Sequence, residues 1–433
     1  MKKQATMIGA IGLIIGLLAV SVSYAGEIDL LLEKLVDKGV LTGAEAQQVK
    51  YETQEKVKKE IATGKSESMP KWIQNMKLKG DLRLRYQYKH EKAANDYSKD
   101  TNIGRVRMRL GLESKINEKI MAGIGIATGS NGDPRSTNVT FGASDGGYST
   151  KFGIRLDNAY AKYEPLSWLS LVGGKMLLKD VFWEPTDLIW DTDITPEGAV
   201  IGFKKNINSE TSVFMQTGGL VMIADTSSNV DPTMAYLLQA GATHKVNDTL
   251  SLKGSLTMYN FSNVKGTSPS EFSSASNTGI TKPSGSDPTG AYTYNYNMLN
   301  PALELSIKEP FKALGLNVES LKFLGEYVNN LAAPDKNSGF SLGFKMGNSK
   351  IEKWGDWQIK YIYAMLEKDA VLDVLPDSDR LGGKTGMRSH EVELQYGLGK
   401  NTFLGLDVYR SWNIKGGAKA PETLVQLDWN MKF

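Results

Sequence analysis

Five arginines recur at every second position in two short stretches, Arg83 and Arg85 in the first and Arg105, Arg107 and Arg109 in the second. On an extended strand this spacing places the side chains on one face, with i and i+2 neighbours about 7 Å apart. Two such charges repel by about 0.6 kcal/mol in water but by about 2.4 kcal/mol at an effective dielectric of 20. The cluster therefore needs wet surroundings or opposing carboxylates. It could attract anions, or it could brace a protein wall if acids neutralise it.

A stretch at roughly 177–197 supplies candidate carboxylates for this cluster. If the stretch folded inward and faced the arginines, the two charge types would create a transverse field that selects solutes by charge and size. Two alternatives stay open, an ordinary polar loop and a divalent cation site at Asp191 and Asp193, although no complete calcium-loop pattern follows those residues. The predicted constriction-loop acids are Glu184, Asp187, Asp191, Asp193 and Glu197.

No motif points to catalysis, to a cofactor or to a metal. Residues 382–385 end like a phosphate-binding loop, but Ser378 stands where that motif requires its first glycine. The three histidines are too scattered for a zinc site, and the absence of cysteine excludes disulfides and a lipid-modified N-terminus. We therefore predict that the protein is not an enzyme and binds neither cofactor nor metal.

The segments that carry these side chains alternate between apolar and polar residues from Met76 to Phe433. Several alternate over ten or more residues, which is longer than a usual soluble strand and long enough to cross a bilayer at a tilt. An Arg or Lys on the lipid face costs about 2–4 kcal/mol near the midplane. We therefore expect the arginines to face the lumen. Arg410 departs from this pattern because it continues the apolar face of Leu404, Leu406 and Val408, which is tolerable only near an interface, where it can snorkel to water.

Short and long connections alternate along the same region. Seven short links lie near positions 117, 165, 208, 247–248, 313–314, 348 and 399–400, and eight longer polar stretches lie at roughly 89–101, 129–153, 177–197, 221–233, 261–292, 329–338, 367–388 and 412–421. Fifteen connections imply 16 strands, and this asymmetry is typical of outer-membrane barrels. The predicted fold class is all-β, a transmembrane antiparallel β-barrel of about 16 strands.

The composition is compatible with such a barrel. With 41% hydrophobic residues and a mean hydropathy of -0.30, the chain cannot be a bundle of membrane helices, which needs repeated apolar runs of about 20 residues. Lys2 and Lys3, an apolar stretch at 5–22 and the small residues Ser23 and Ala25 form the pattern of a secretory signal peptide. Without that leader, 49 basic residues face 48 acidic ones, so the charge gives no reason to expect a nucleic-acid partner.

Three regions are expected along the chain. Residues 1–25 are the predicted signal peptide, residues 26–70 a short periplasmic α-helical segment, and residues 71–433 the outer-membrane barrel. Within the helical segment Gly39 is expected to end one helix, and Thr42 and Glu45 to form a capping box that starts the next. The segment could be a solvated helical hairpin, or it could serve oligomerisation or contact with the cell wall.

The last strand ends on Trp429, Met431 and the terminal Phe433. An aromatic last residue on an alternating strand resembles the recognition signal of barrels that are assembled into the bacterial outer membrane. We therefore predict the barrel-assembly machinery as a partner, together with the outer-membrane lipid.

Several stretches together resemble the putative-porin family of Gram-negative outer membranes, over essentially the whole chain. They are LLEKLVDKGVLTGAEA at 31–46, RVRMRLGLESKIN at 105–117, ATGSNGDPRSTN at 127–138 and WDTDITPEG at 190–198. The resemblance implies a water-filled channel for passive diffusion of small hydrophilic solutes. The arginines suggest a preference for anions, and homotrimeric assembly is left open. The alternatives are a plugged structural or interaction barrel whose loops contact surfaces, and an outer-membrane hydrolase, which would be distinguished by hydrolysis that survives blocking of the pore.

Overall fold

A computed structural model describes residues 31–63, 70–92, 98–129, 132–142, 149, 151–224, 232–272, 290–414 and 421–433. The predicted signal peptide at 1–25 lies outside the described residues. The chain divides into two compact units, Met1–Asn75 and Met76–Phe433. In the part of the chain that the structure describes, no helix has both the length and the apolar character needed to cross a membrane.

The first unit is helical where it is described. Residues 31–37 are helical and Gly39 follows with a φ of +70°, a left-handed conformation that suits glycine after a helix C-terminus. Helix α1 (Gly43–Thr63) starts with the predicted capping box, which is confirmed: the Thr42 amide donates to Glu45 Oε2 at 2.8 Å and the Glu45 amide to Thr42 Oγ1 at 3.3 Å. These hydrogen bonds from Thr42 lower the pKa of the Glu45 carboxyl. A four-residue helix α2 (Lys71–Gln74) follows.

The second unit is one antiparallel sheet that closes on itself. Strand β1 pairs with β2 on one side and with β17 on the other, and each further long strand pairs with its sequence neighbours. The two-residue strand β4 lies beside β2, so 16 long strands among the described residues form the barrel and the predicted fold is confirmed. The strands are β1 (Lys77–Lys92), β2 (Ser98–Lys115), β3 (Ile120–Thr128), β4 (Val139–Thr140), β5 (Ile154–Leu166), β6 (Leu169–Lys175), β7 (Glu197–Asn206), β8 (Thr211–Ile223), β9 (Thr233–Lys245), β10 (Leu250–Phe261), β11 (Tyr296–Lys308), β12 (Ser320–Asn330), β13 (Ser338–Gly347), β14 (Trp357–Leu366), β15 (Met387–Gly399), β16 (Thr402–Asn413) and β17 (Glu422–Lys432).

The connections alternate in length as the sequence predicts, seven at one end of the barrel and eight at the other. Two of the seven, 309–319 and 348–356, are longer than a tight hairpin turn, and the first contains the short 3₁₀ helix Lys312–Leu314. The long loop 262–295 contains a one-turn helix α3 (Pro269–Phe272). The long-loop end is therefore the expected external end of the barrel.

The two faces of the sheet differ in what they expose. Leu84, Leu256 and Leu427 are 39%, 45% and 49% exposed, whereas their neighbours Arg85 and Thr257 are 6% and 0% exposed. The apolar side chains point out, as required in contact with lipid, and the polar ones point to the covered inner face. Strand β5 alternates poorly because its register against β3 shifts opposite Gly125 and Ile126.

Two long loops, at 176–196 and 367–386, pack against the inner face. We call them the third loop and the seventh loop, after their order among the eight long connections. Trp190 at the centre of the third loop is 1% exposed, and its ring centroid lies 5.6 Å from Phe182 and 6.4 Å from Tyr259 of β10. Strand β11 alternates poorly because its inner positions pack against these loops and can therefore be apolar, as at Met298. The buried apolar residues of the two loops are Met176, Leu178, Val181, Phe182, Leu188, Ile189, Trp190, Ile194, Ala370, Val371, Leu372, Val374, Leu375 and Leu381.

The terminal residue completes the closure between β17 and β1. The Gly80 amide donates to the Phe433 carbonyl at 2.7 Å, and the Phe433 amide donates to the Gly80 carbonyl at 3.0 Å. The Phe433 ring lies over Gly80, where a Cβ would meet the ring at 2.4 Å. A side chain at position 80 would therefore require the Phe433 ring to move, and recognition of Trp429, Met431 and Phe433 by assembly factors stays a prediction.

Candidate functional site

The five arginines lie together on the inner face of β1 and β2. Arg83 is directly opposite Arg107, and Arg85 is directly opposite Arg105. Like charges in opposite positions of an antiparallel pair destabilise it unless other groups compensate them. We call Arg83, Arg85, Arg105, Arg107 and Arg109 the arginine wall.

Carboxylates compensate most of the arginine wall. Arg85 donates to both carboxylate oxygens of Asp428 on β17, at 2.7 and 2.8 Å. Asp81 on β1 bridges the next two guanidinium groups, at 2.8 Å from Arg107 and 3.2 Å from Arg109. Neither acid was among the residues singled out in the sequence. For Asp428 the reason is that the alternating pattern does not show that β17 pairs with β1, whereas Asp81 lies on the same face of β1 as Arg83 and Arg85 and could have been identified.

The two inward loops bring further acids to the arginine wall. Asp193 of the third loop accepts a hydrogen bond from Arg109 at 3.2 Å, and Asp379 of the seventh loop lies 3.6 Å from Arg85. Arg105 differs from the others: it donates to Gln87 at 3.2 Å and Ser136 at 3.4 Å, and no carboxylate among the described residues lies within 4 Å of it. Five cations therefore face four carboxylates, which leaves one positive charge.

The predicted constriction-loop acids separate into different roles. Asp193 contacts the arginine wall, whereas Asp187 contacts Arg380 of the seventh loop at 2.5 Å. Glu184 is buried without a hydrogen-bond partner among the described residues, and burial raises the pKa of its carboxyl well above the usual value. Glu197 is the first residue of β7 rather than part of the loop. It faces outward and pairs with Lys175 at 2.9 Å.

Asp191 joins the two loops through backbone groups. Its carboxylate accepts the amide of Asp193 and the amide of Ser378 on the seventh loop, both at 2.9 Å. Its own amide donates to the Leu375 carbonyl at 2.7 Å. The Asp191 carboxylate is thus committed to the loops and Asp193 to arginines, which argues against the calcium alternative considered from the sequence.

The seventh loop is held by two buried arginines that the sequence reasoning did not identify. Arg380, 1% exposed, lies 2.5 Å from both Asp187 and Glu391 of β15. Arg135 in the loop after β3 donates to the Asp373 and Gly383 carbonyls, each at 3.2 Å. The apolar run at 370–375 inside this polar loop was the available signal that it folds inward.

A row of lysines faces the inside of β12, β13 and β14. Lys322, Lys345 and Lys360 are directly opposite one another across these strands. Lys322 pairs with Glu304 at 2.9 Å and Lys360 with Glu391 at 2.5 Å. Lys360 also pairs with Glu393 at 2.8 Å, and Lys345 has no ion pair of its own among the described residues. The three lysines of this row lie on strands that the sequence reasoning did not analyse.

The third loop also covers a cavity of about 830 Å³ towards the short-turn end of the barrel. Arg109 and Asp193 lie on one side of it. Lys253 lies on another, with its ammonium 4.2 Å from the centroid of the Trp183 ring and 5.2 Å from that of Phe214. Charged groups of both signs thus line a polar space below the contact between the arginine wall and the third loop, an arrangement that can sort solutes by charge.

One group of acids has the spacing of a metal site, Glu391, Glu393 and Asp407. Lys360 lies 2.5 Å from Glu391 and 2.8 Å from Glu393, and Arg380 also contacts Glu391. These cations already compensate two of the three carboxylates, so the group is better described as an ion-pair network.

Because Asp191 joins the third and seventh loops, the packing of these loops should depend on pH. Burial and the neighbouring Asp193 raise the pKa of Asp191 to about 8, against the opposing effect of its backbone hydrogen bonds. The unfolded value is about 4, so the packed loops bind a proton that the free chain releases. Loop packing should therefore weaken as the pH rises from about 4 to about 8 and change little above that.

Limited proteolysis of the third and seventh loops across this pH range measures the effect. Asp191→Asn should reduce the pH dependence, leaving a part that comes from Glu184, another third-loop acid with a raised pKa, whereas Asp335→Asn, at an exposed loop position, should retain all of it. An unchanged profile in Asp191→Asn would assign the dependence to another group.

Comparisons with known proteins agree with this architecture. The chain matches the family described as "Putative porin" over residues 42–102, 91–299 and 293–433. No curated protein matches the chain in sequence.

Several solved structures are similar to this chain. OprB of Pseudomonas putida is 12% identical, with a TM-score of 0.54 over 83% of this chain and 94% of its own. The outer-membrane channel DcaP of Acinetobacter baumannii is 13% identical, with a TM-score of 0.45 over 83% and 97%. OpdQ of Pseudomonas aeruginosa is 11% identical, with a TM-score of 0.43 over 84% and 99%. The closed 16-stranded barrel and the family match over most of its length together show that this chain belongs to the putative porin family and is an outer-membrane channel.

Proposed function

We propose that the channel is a water-filled porin for passive diffusion of small hydrophilic solutes, with a preference for anions. The observation that carries this proposal is the contact between the arginine wall and acids of two inward loops, Asp193 and Asp379. Charged groups of both signs also line the cavity beside this contact, where they can produce a local field that sorts solutes by charge and size. The excess positive charge of the arginine wall and the unpaired ammonium of Lys345 tilt this field towards anions.

We also propose how the chain is exported, inserted into the membrane and assembled. Residues 1–25 would be removed as a signal peptide, residues 26–70 would form a periplasmic segment, and residues 71–433 would be inserted as the barrel. Recognition of Trp429, Met431 and Phe433 by the assembly machinery would direct insertion. Assembly as a homotrimer is tested by the mass of the purified, detergent-solubilised protein.

The conducting state is tested directly in planar bilayers. Purified protein should open discrete ion channels, because the interior of the barrel carries charged rather than wholly apolar side chains. A folded barrel without any conductance would contradict the proposal.

The anion preference makes a separate prediction. Replacing Arg105, Arg107 and Arg109 together by glutamine leaves Asp81 and Asp193 without their guanidinium partners. The pore therefore changes from a net positive to a net negative wall, and the reversal potential in a salt gradient should move towards that of a cation-selective channel.

Lys312→Gln is the matched control, since Lys312 pairs with Glu309 in an exposed turn and should leave the potential unchanged. If only Lys345→Gln moves the potential, the lysine row carries the preference. If neither variant moves it, the basic residues brace the wall and do not select ions.

A plugged barrel is the second candidate, and the apolar core formed by the third and seventh loops favours it. Such a barrel would fold normally and contact surfaces through its external loops. This candidate is favoured over an open porin if the full chain shows negligible conductance and channels appear only after one of these loops is deleted.

A further inference from the structure

One feature of the outer face is unused by the channel: two arginines beside a tryptophan on β15 and β16. Arg388 lies directly opposite Trp412, and Arg410 directly opposite His390. They share the outward face with Leu394 and its partner Leu406, and both arginines are exposed.

This group lies at the long-loop end of the outer face, which is the expected external membrane interface. Arg388 is the second residue of β15, and Arg410 lies three residues before the end of β16. Both strands meet the long loops at these ends. Tryptophan and tyrosine are enriched at such interfaces. The His390 ring lies between the two here, with its centroid 5.0 Å from that of Tyr363 on β14 and 5.7 Å from that of Trp412.

The two guanidinium groups have no ion-pair partner in the part of the chain that the structure describes. Each central carbon lies 5.7 Å from the centroid of the Trp412 ring, so the arginines flank one aromatic side chain. Among the described residues, no carboxylate lies within 4 Å of Arg388 or Arg410. The outward-facing Lys175 near the same rim, by contrast, is neutralised by Glu197 at 2.9 Å.

Snorkelling explains why one arginine is tolerated at an interface. Two arginines at diagonal positions of adjacent strands, which are about 7–8 Å apart, also repel each other. Two guanidinium groups beside one aromatic side chain suit a phosphate group, which can accept hydrogen bonds from both. The group faces the acyl chains and headgroups of the outer leaflet rather than the pore.

We propose that Arg388, Arg410 and Trp412 bind the phosphorylated headgroup of a glycolipid in the outer leaflet of the outer membrane. The two arginines hold the phosphate, and Trp412 packs beside the sugar or the first acyl carbons. The bound lipid neutralises the charge pair and fixes the depth of this side of the barrel in the membrane.

The test measures binding of the full purified barrel to phosphatidylcholine vesicles that contain either bis-phosphorylated lipid A or its dephosphorylated form. Native protein should bind the phosphorylated vesicles preferentially and lose the preference at high salt. Each Arg→Gln change should weaken binding about fivefold, and Arg388→Gln with Arg410→Gln about thirtyfold. Lys175→Gln, at the neutralised outward lysine, is the matched control and should bind normally.

Further measurements distinguish a bound phosphorylated lipid from free phosphate and from a second copy of the chain at this face. If inorganic phosphate protects the barrel from heat unfolding as well as lipid A does, the site binds free phosphate and the lipid proposal fails. If the double variant changes the oligomeric mass but not lipid binding, the face contacts a second copy and the proposal fails. If the variants do not fold, the salt dependence of the unsubstituted protein decides, since binding that is insensitive to salt also contradicts the proposal.

Discussion

Replacing Arg380 by glutamine is expected to release the two inward loops and to raise the single-channel conductance. Arg380 is buried between Asp187 of the third loop and Glu391 of β15, at 2.5 Å from each, with Asp377 at 3.7 Å. Removing the cation leaves three carboxylates close together, of which Glu391 still pairs with Lys360 at 2.5 Å. Breaking a buried ion pair in this way costs about 3–5 kcal/mol. This cost favours local opening of the two loops around Arg380, although their buried apolar residues still pack together.

Conductance recordings and limited proteolysis of the same preparation measure this effect. The variant should show larger and noisier openings, together with new cleavage in the third or seventh loop. Arg380→Gln combined with Asp187→Asn should recover part of the loss, because the double change removes a charge of each sign. An unchanged conductance with intact loops would show that the apolar contacts of Trp190 alone hold them.

Replacing Arg85 by glutamine is expected to weaken the closure of the barrel. Arg85 and Asp428 form a two-point hydrogen bond between β1 and β17, and both residues are less than 8% exposed. The single change leaves a buried carboxylate without its main partner, so we expect the free energy of unfolding to fall by about 3–5 kcal/mol.

Urea unfolding in lipid vesicles measures this change, with the folded fraction read from heat-modifiable gel mobility. Asp428→Asn in the Arg85→Gln background should restore much of the stability, and the double-mutant cycle isolates the energy of the pair. Lys79→Gln is the control, because Lys79 pairs with Glu113 at 2.6 Å but is largely exposed and should matter little. Equal losses in Arg85→Gln and in the control would contradict the role of the seam.

Much of the fold was predictable because its signals are local. A period of two over ten residues assigns a strand and its two faces without any knowledge of its neighbours. The lipid then fixes which face is outward, since it cannot accommodate repeated arginines. The capping box of Thr42 and Glu45 was predictable for the same reason, because both partners lie within one helical turn.

The site was predictable only in part. The arginine wall and Asp193 were identified, whereas Asp81, Asp379 and Asp428 were not. Asp428 lies 343 positions from Arg85, and only closure of the sheet makes them neighbours. Glu197 shows the converse error. It belongs to an acid-rich stretch, yet it is the first residue of β7 and its alternation turns it outward, so composition alone misassigned it.

The sequence by itself therefore determined the strand number, the lipid-facing and inner faces, and the long and short ends of the barrel, because these depend on periodicity and on the cost of placing charge in lipid. Only the tertiary structure decided which charges compensate one another and which loops fold inward. Those properties depend on contacts between residues that are distant in the chain. The unpaired Arg105 and Lys345 became visible once the partners of their neighbours were known.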